Sequence, residues 1–156
     1  MRSTRPVSTI ILVGLCLGVL SACSGVLMNT PVTKNAEGWV VTLGQVKEGP
    51  DEYVTPEVSM FPENGERFIW ALVTVKNELG QEQTFSYETC TLDGKGQTRP
   101  PMVVDRNLDV NAAGDPSETF DPGQERSRRL IYPFFKDQRP TRVKCGPIVL
   151  PIPGPR

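Results

Sequence analysis

The chain has 156 residues, 38% of them hydrophobic and 22% charged, with a net charge of −1. That length suits one domain with its own core, and the missing basic excess argues against nucleic acid as a partner. No histidine occurs anywhere, which removes serine–histidine and cysteine–histidine catalysis, histidine metal sites and the usual near-neutral general base.

Arg2 and Arg5 open the chain with positive charge, and Val7 to Leu20 is an apolar run free of acids and bases. Small residues Ser21 and Ala22 follow, then Cys23. This is the layout of a secretory signal, and the run is shorter than the roughly 20 residues of a spanning helix. Leu20-Ser21-Ala22-Cys23 resembles the lipobox of bacterial lipoproteins. The resemblance implies that residues 1–22 are cut away and that the Cys23 thiol carries a diacylglycerol. The new amino terminus would usually be acylated too. Two or three acyl chains hold a protein stably on a membrane where one does not. In lipoproteins of double-membraned bacteria an aspartate at the place of Ser24 often marks inner-membrane retention, so Ser24 permits transfer to an outer membrane where the organism has one. An ordinary cleaved signal with a coincidental cysteine, or a retained membrane helix, are the other readings of these residues.

Without residues 1–22, 134 residues remain, with 15 cationic and 18 anionic side chains. Cys16 leaves with the signal and Cys23 takes lipid, leaving Cys90 and Cys145. In an exported domain two such cysteines most simply form one disulfide, with two buried free thiols as the alternative. Two cysteines fall short of the roughly four ligands zinc wants, and no other metal or cofactor is expected.

Residues 23–36 read as a lipidated, flexible tether, residues 37–150 as the domain, and residues 151–156, with three prolines, as an extended, exposed tail. Residues 39–46 alternate as a first strand that Gly44 weakens or bulges. Residues 47–66 form a loop rich in proline and glycine and long for a compact domain. It carries Tyr53, Met60 and Phe61. Residues 67–77 are the strongest strand: Ile69, Ala71, Val73 and Val75 share one face, and Phe68, Trp70 and Leu72 the other. A strand apolar on both sides is central and covered on both faces. Trp70 reads either as core or as an exposed aromatic patch for a partner.

Residues 84–93 form a further strand, and Asp93-Gly94-Lys95-Gly96 a hairpin turn. Met102, Val103 and Val104 are a short apolar segment, and residues 105–115 a polar excursion. Asp121-Pro122-Gly123-Gln124 is a turn before a strand at 125–135. Residues 141–149 read as the last strand. Short alternating runs separated by glycine and proline turns predict an all-β, immunoglobulin-like antiparallel β-sandwich, and a Cys90–Cys145 bridge could join its two sheets as in immunoglobulin-like domains.

Three stretches, in order, are residues 68–77 (Phe-Ile-Trp-Ala-Leu-Val-Thr-Val-Lys-Asn), residues 91–96 around Asp93-Gly94, and Asp121-Pro122-Gly123-Gln124. Together they resemble a bacterial family of immunoglobulin-like lipoprotein domains of unknown function. Its fold is similar to the mycobacterial secreted immunoprotective extracellular protein. The resemblance spans about residues 39–151 and brings no catalytic residues with it. The cysteine pair and the long loop are not general features of that family.

Asp105-Arg106-Asn107-Leu108-Asp109 spaces oxygens like the start of a calcium loop. Val110 replaces the glycine, and Pro116 stands where the bidentate glutamate belongs, so a solvated loop is the plainer reading. Glu88 with Asp93 offers an acid/base pair only in principle. The Arg126, Arg128, Arg129 cluster reads as a solvated, aggregation-resistant edge or as a local anion contact. The expectation is therefore a non-enzymatic binding or accessory module, outside the cytoplasm and held on the membrane through its lipid. Its partner would be an envelope protein, with contacts at Tyr53, Met60, Phe61 and Trp70 and on residues 105–115. The alternative is an anchored inhibitor or phage-exclusion factor.

Overall fold

A computed structural model describes residues 25–154. The signal segment, the lipobox and Cys23 lie outside the described residues.

The fold is an all-β antiparallel sandwich. Its strands are β1 (Val26–Met28), β2 (Val32–Ala36), β3 (Trp39–Glu48), β4 (Tyr53–Val54), β5 (Ser59–Met60), β6 (Glu66–Asn77) and β7 (Gln83–Ser86), then β8 (Cys90–Gly94), β9 (Gln97–Arg99), β10 (Val103–Asp105), β11 (Ser117–Phe120), β12 (Glu125–Phe135), β13 (Pro140–Cys145) and β14 (Ile148–Pro151). The first sheet runs β1-β3-β6-β12-β10, with β2 also on β3. The second runs β14-β13-β8-β9, while β7 and β11 form a separate ribbon and β4 and β5 a small hairpin.

Strand β6 lies at the centre of the first sheet, between β3 and β12. Its Ile69, Ala71, Val73 and Val75 join Val41, Leu43, Leu130, Tyr132 and Phe134 in the core, against Leu92, Val143 and Leu150 of the second sheet. Each of the valines, leucines, isoleucines and phenylalanines among them, removed from water, contributes about 1.5–3 kcal/mol. A register shift between Leu43 and Gln45 marks a bulge at Gly44. The extra residue resets the alternation, so Leu43 and Val46 are both buried although three positions apart.

Where β6 ends, Asn77 is fully buried. Its side-chain amide donates to the carbonyls of Gln81 (2.8 Å) and Phe120 (3.1 Å), and its Oδ1 accepts from the Leu79 amide (2.9 Å). One side chain thus ties two turns together and closes this end of the sandwich.

Several expectations are corrected. Residues 26–36 are not a tether: β1 and β2 both pair with β3, because their amides find partners along its edge. The single strand expected at 84–93 breaks at a 3-10 turn, Tyr87–Thr89, which hands the chain from partner β11 to partner β13. Residues 141–149 are two strands, divided at Gly146, whose φ of 55° suits a tight hairpin turn. The tail is not wholly exposed: Ile152 is buried in the core and its amide donates to the Thr141 carbonyl at 2.8 Å.

Cys90 and Cys145 form a disulfide, but not one between sheets. They are opposite each other in the β8–β13 pair, so the bridge joins neighbours within the second sheet, whereas packed sheets stand roughly 10 Å apart. The link between sheets is made by Tyr132, whose hydroxyl crosses the core to donate to the Cys90 carbonyl at 2.7 Å. Burial pushes that phenol well above its ordinary range, so it remains a donor.

The arginine cluster is only partly an edge: β6 pairs with all of β12, whereas β10 meets it only from Arg129 to Ile131, and carboxylates rather than solvent take up the arginines. Arg128 pairs with Glu118 and Arg129 with Asp105, and both arginines are largely covered. Arg126 lies over the Phe120 ring at 5.2 Å.

Candidate functional site

The outward face of the first sheet is apolar where it ought to be wet. Phe68 and Ile131 are fully buried there, with Trp70 half-buried beside them. Residues 47–66 explain this. Instead of projecting, their β4–β5 hairpin lies down over the sheet and contributes Tyr53 and Met60 to a second small core with Phe68, Val103 and Ile131. Gly49 starts the segment with its backbone against the Trp70 indole, where a Cβ would overlap the ring. Only glycine allows that approach.

Residues 105–115 fold onto the same face. Asp105 is fully buried. Its Oδ1 accepts from the amides of Ala112 (2.8 Å) and Asn107 (3.3 Å), and Oδ2 accepts from Arg129. Asp105 and Asn107, the first two oxygen-bearing residues of the stretch that resembled a calcium loop, thus have their side-chain oxygens occupied by the protein's own donors. Arg129 also donates to Asn111 Oδ1 at 2.9 Å, and Asn111 Nδ2 donates to the Val54 carbonyl at 2.8 Å. Two loops about fifty residues apart are stitched together through Arg129 and Asn111.

Arg129 has a second role. Its guanidinium stands 4.2 Å from the centre of the Trp70 ring, with Lys47 Nζ at 5.4 Å, both within cation–π range. Gln45, Lys47, Trp70, Leu72, Leu108 and Arg129 line a shallow groove of about 130 Å³. That is the size of one inserted side chain, below the roughly 300 Å³ at which small-molecule sites begin. Burial raises the Tyr53 phenol to about 12, and the neighbouring Asp105 charge adds to this against the opposing Arg129.

Of the residues singled out from the sequence, Tyr53, Met60 and Trp70 come together at this place and Phe61 flanks it. Tyr53 is wholly covered, whereas Phe61 is 63% exposed. Val54, Val58, Leu108 and Val110 on the two loops are also exposed. Residues 105–115 were expected at the contact surface, but the part Arg129 plays, and its pairing with Asp105 and Asn111, were not read from the sequence. The available signal was Arg129 at an outward position of a strand whose next outward residue is Ile131.

A second surface is less suited to recognition. On the outside of the second sheet Arg142 Nε donates to Asp93 Oδ2 at 2.8 Å, beside Thr91. Glu88 is exposed on the 3-10 turn. Burial works to raise the Asp93 pKa, but hydrogen bonds from Arg142 and the threonines, with the Arg142 charge, outweigh it and hold the carboxyl below its ordinary 3.8. A lowered folded-state pKa contributes stability above the unfolded value and loses it as pH falls through the folded one. Melting curves should therefore show Asp93→Asn losing less stability than the parent as pH drops below about 4. Parallel acid limbs would show that Asp93 contributes nothing there.

No protein-family model and no curated protein matches the chain. Solved structures do. A protein of unknown function from Listeria monocytogenes EGD-e is 12% identical with a TM-score of 0.53, over 82% of this chain and 85% of that one. A conserved hypothetical protein from Bacillus anthracis is 13% identical with a TM-score of 0.51, over 78% and 92%. An uncharacterized beta-sandwich protein from Clostridium difficile 630 is 13% identical with a TM-score of 0.46, over 74% and 81%. The first two share this chain's overall fold. The class so defined is a two-sheet antiparallel β-sandwich; in this chain a long loop covers one sheet face.

Proposed function

We propose that this protein is a lipid-anchored, non-enzymatic binding module of the bacterial envelope, acylated on Cys23 and engaging a protein partner through the loop-covered face. The lipobox-like Leu20-Ser21-Ala22-Cys23 supports the anchor. The observation that carries the contact face is the pair of loops stitched together by Arg129 and Asn111, which set exposed Leu108 beside Trp70 and carry exposed Val54, Val58 and Val110. Aromatic and aliphatic groups fixed on a rigid sheet are what protein interfaces use as anchors. The groove accepts a side chain, Arg129 on its wall is paired with Asp105, and the chain has no histidine.

A photo-crosslinking residue at Val110, introduced in living cells, tests this. A discrete adduct is expected from position 110 and none from Lys144 on the far sheet. Trp70→Ala should weaken the adduct at least about tenfold, as loss of a central anchor does. Adducts from position 144 alone, or none from 110, would overturn the assignment.

A further inference from the structure

The described chain starts at Gly25, and Gly25 is held fast. Its carbonyl accepts the Glu48 amide at 2.7 Å, and a Cβ on it would strike the Glu48 side chain. Val26 and Met28 then pair with Lys47 and Val46. Only Ser24 separates Gly25 from Cys23. Two trans peptide units span at most about 7.6 Å between Cα atoms, so a lipid on Cys23 brings this end of the sandwich down onto the bilayer.

That end is one continuous surface. Arg67 pairs with Glu48 at 2.5 Å and donates to the Gln138 carbonyl at 3.0 Å. The Lys136 amide donates to the Gly65 carbonyl at 2.9 Å. Arg139 donates to the Leu27 carbonyl at 3.2 Å and the Pro153 carbonyl at 3.0 Å. Val26 and Phe135 are exposed on it, and Phe61 lies four residues ahead of Gly65 in the approaching segment. Arg99 covers the Phe135 ring at 5.0 Å while pairing with Glu66 at 2.6 Å. Exposed Phe135 and Val26 are apolar groups of the kind that enter the boundary between headgroups and acyl chains.

We propose that this end, around Gly25, Val26 and Phe135, docks onto a phospholipid bilayer, with β6 rising from Glu66 near the lipid to Asn77 far from it. The inference rests on acylation of Cys23. Twelve strand residues rise about 40 Å, so the Trp70 face stands upright and near the membrane, and the turns tied by Asn77 point away.

The test uses the full acylated protein in vesicles with bromine on the acyl chains. Tryptophan is introduced as Phe135→Trp, as Val26→Trp so that a poorly folding variant does not decide the matter, and at the far end as Leu79→Trp. Trp39 and Trp70 of the parent set the baseline. Emission added at positions 135 or 26 is expected to fall at least about twofold on bromination, and emission added at 79 to stay unchanged. An acylated, vesicle-bound protein with all three positions alike, or with 135 and 26 unquenched because a second copy covers them, would overturn docking and leave the anchor standing. A mass showing no lipid on Cys23, with the protein free of vesicles, would overturn both.

Discussion

Arg129→Met is expected to lower stability by about 3–5 kcal/mol, the cost of leaving a buried carboxylate without its counter-charge. Asp105 is fully covered, and Arg129 is its only cationic partner among the described residues. The same guanidinium covers Trp70 and reaches Asn111, so its loss should also free residues 105–115 for proteolysis. The double variant Asp105→Asn/Arg129→Met should recover much of the loss, because the charge that needed neutralising is gone. Urea midpoints of the parent, both single variants and the double variant measure the coupling. A single-variant loss under about 1 kcal/mol would mean that water reaches Asp105, against its burial here.

Removing the disulfide should have an effect of similar size. The bridge spans 55 residues of sequence, and on the chain-entropy account its loss costs about 4 kcal/mol through a freer unfolded state. Cys90→Ser/Cys145→Ser should therefore unfold at lower urea, and the parent in reductant should match it. Tyr132→Phe, which deletes the hydroxyl that reaches the Cys90 carbonyl, should cost only about 1 kcal/mol, one hydrogen bond's net worth. If the serine variant lost no more than the tyrosine variant, the crosslink would not be a main source of stability.

The two central strands could be read from sequence because burial imposes a pattern on them. β6, 12 residues long, is apolar on both faces from Phe68 to Val73, and β12, 11 residues long, is apolar from Leu130 to Phe135; Phe68 and Trp70, on the face opposite Ile69, signalled cover on both sides. What escaped was decided by partners rather than by local preference. Val32–Ala36 is a polar segment, VTKNA, that becomes a strand only because β3 offers an edge. Tyr53–Val54 and Ser59–Met60 are strands of two residues each, held by each other and by the sheet beneath. The site was half legible. Tyr53, Met60 and Trp70 stood out as aromatic or soft apolar groups in suspicious places, but the Asp105–Arg129 pair joins residues 24 apart in a contact no short-range pattern encodes. The direction of the cysteine bridge was hidden for the same reason, since two positions 55 apart are compatible with one sheet or two.

The order of strands in the first sheet sets a timetable for synthesis. Thr74 on β6 meets Ser127 on β12 across 53 residues of chain. A ribosome working from the amino terminus completes β3 and β6 long before it makes β12. In that interval the most oily strand of the molecule has one bare side, and pairings of such long range form slowly. A polypeptide delivered in this order needs a holding factor, or passage as an unfolded thread, until residue 135 is out.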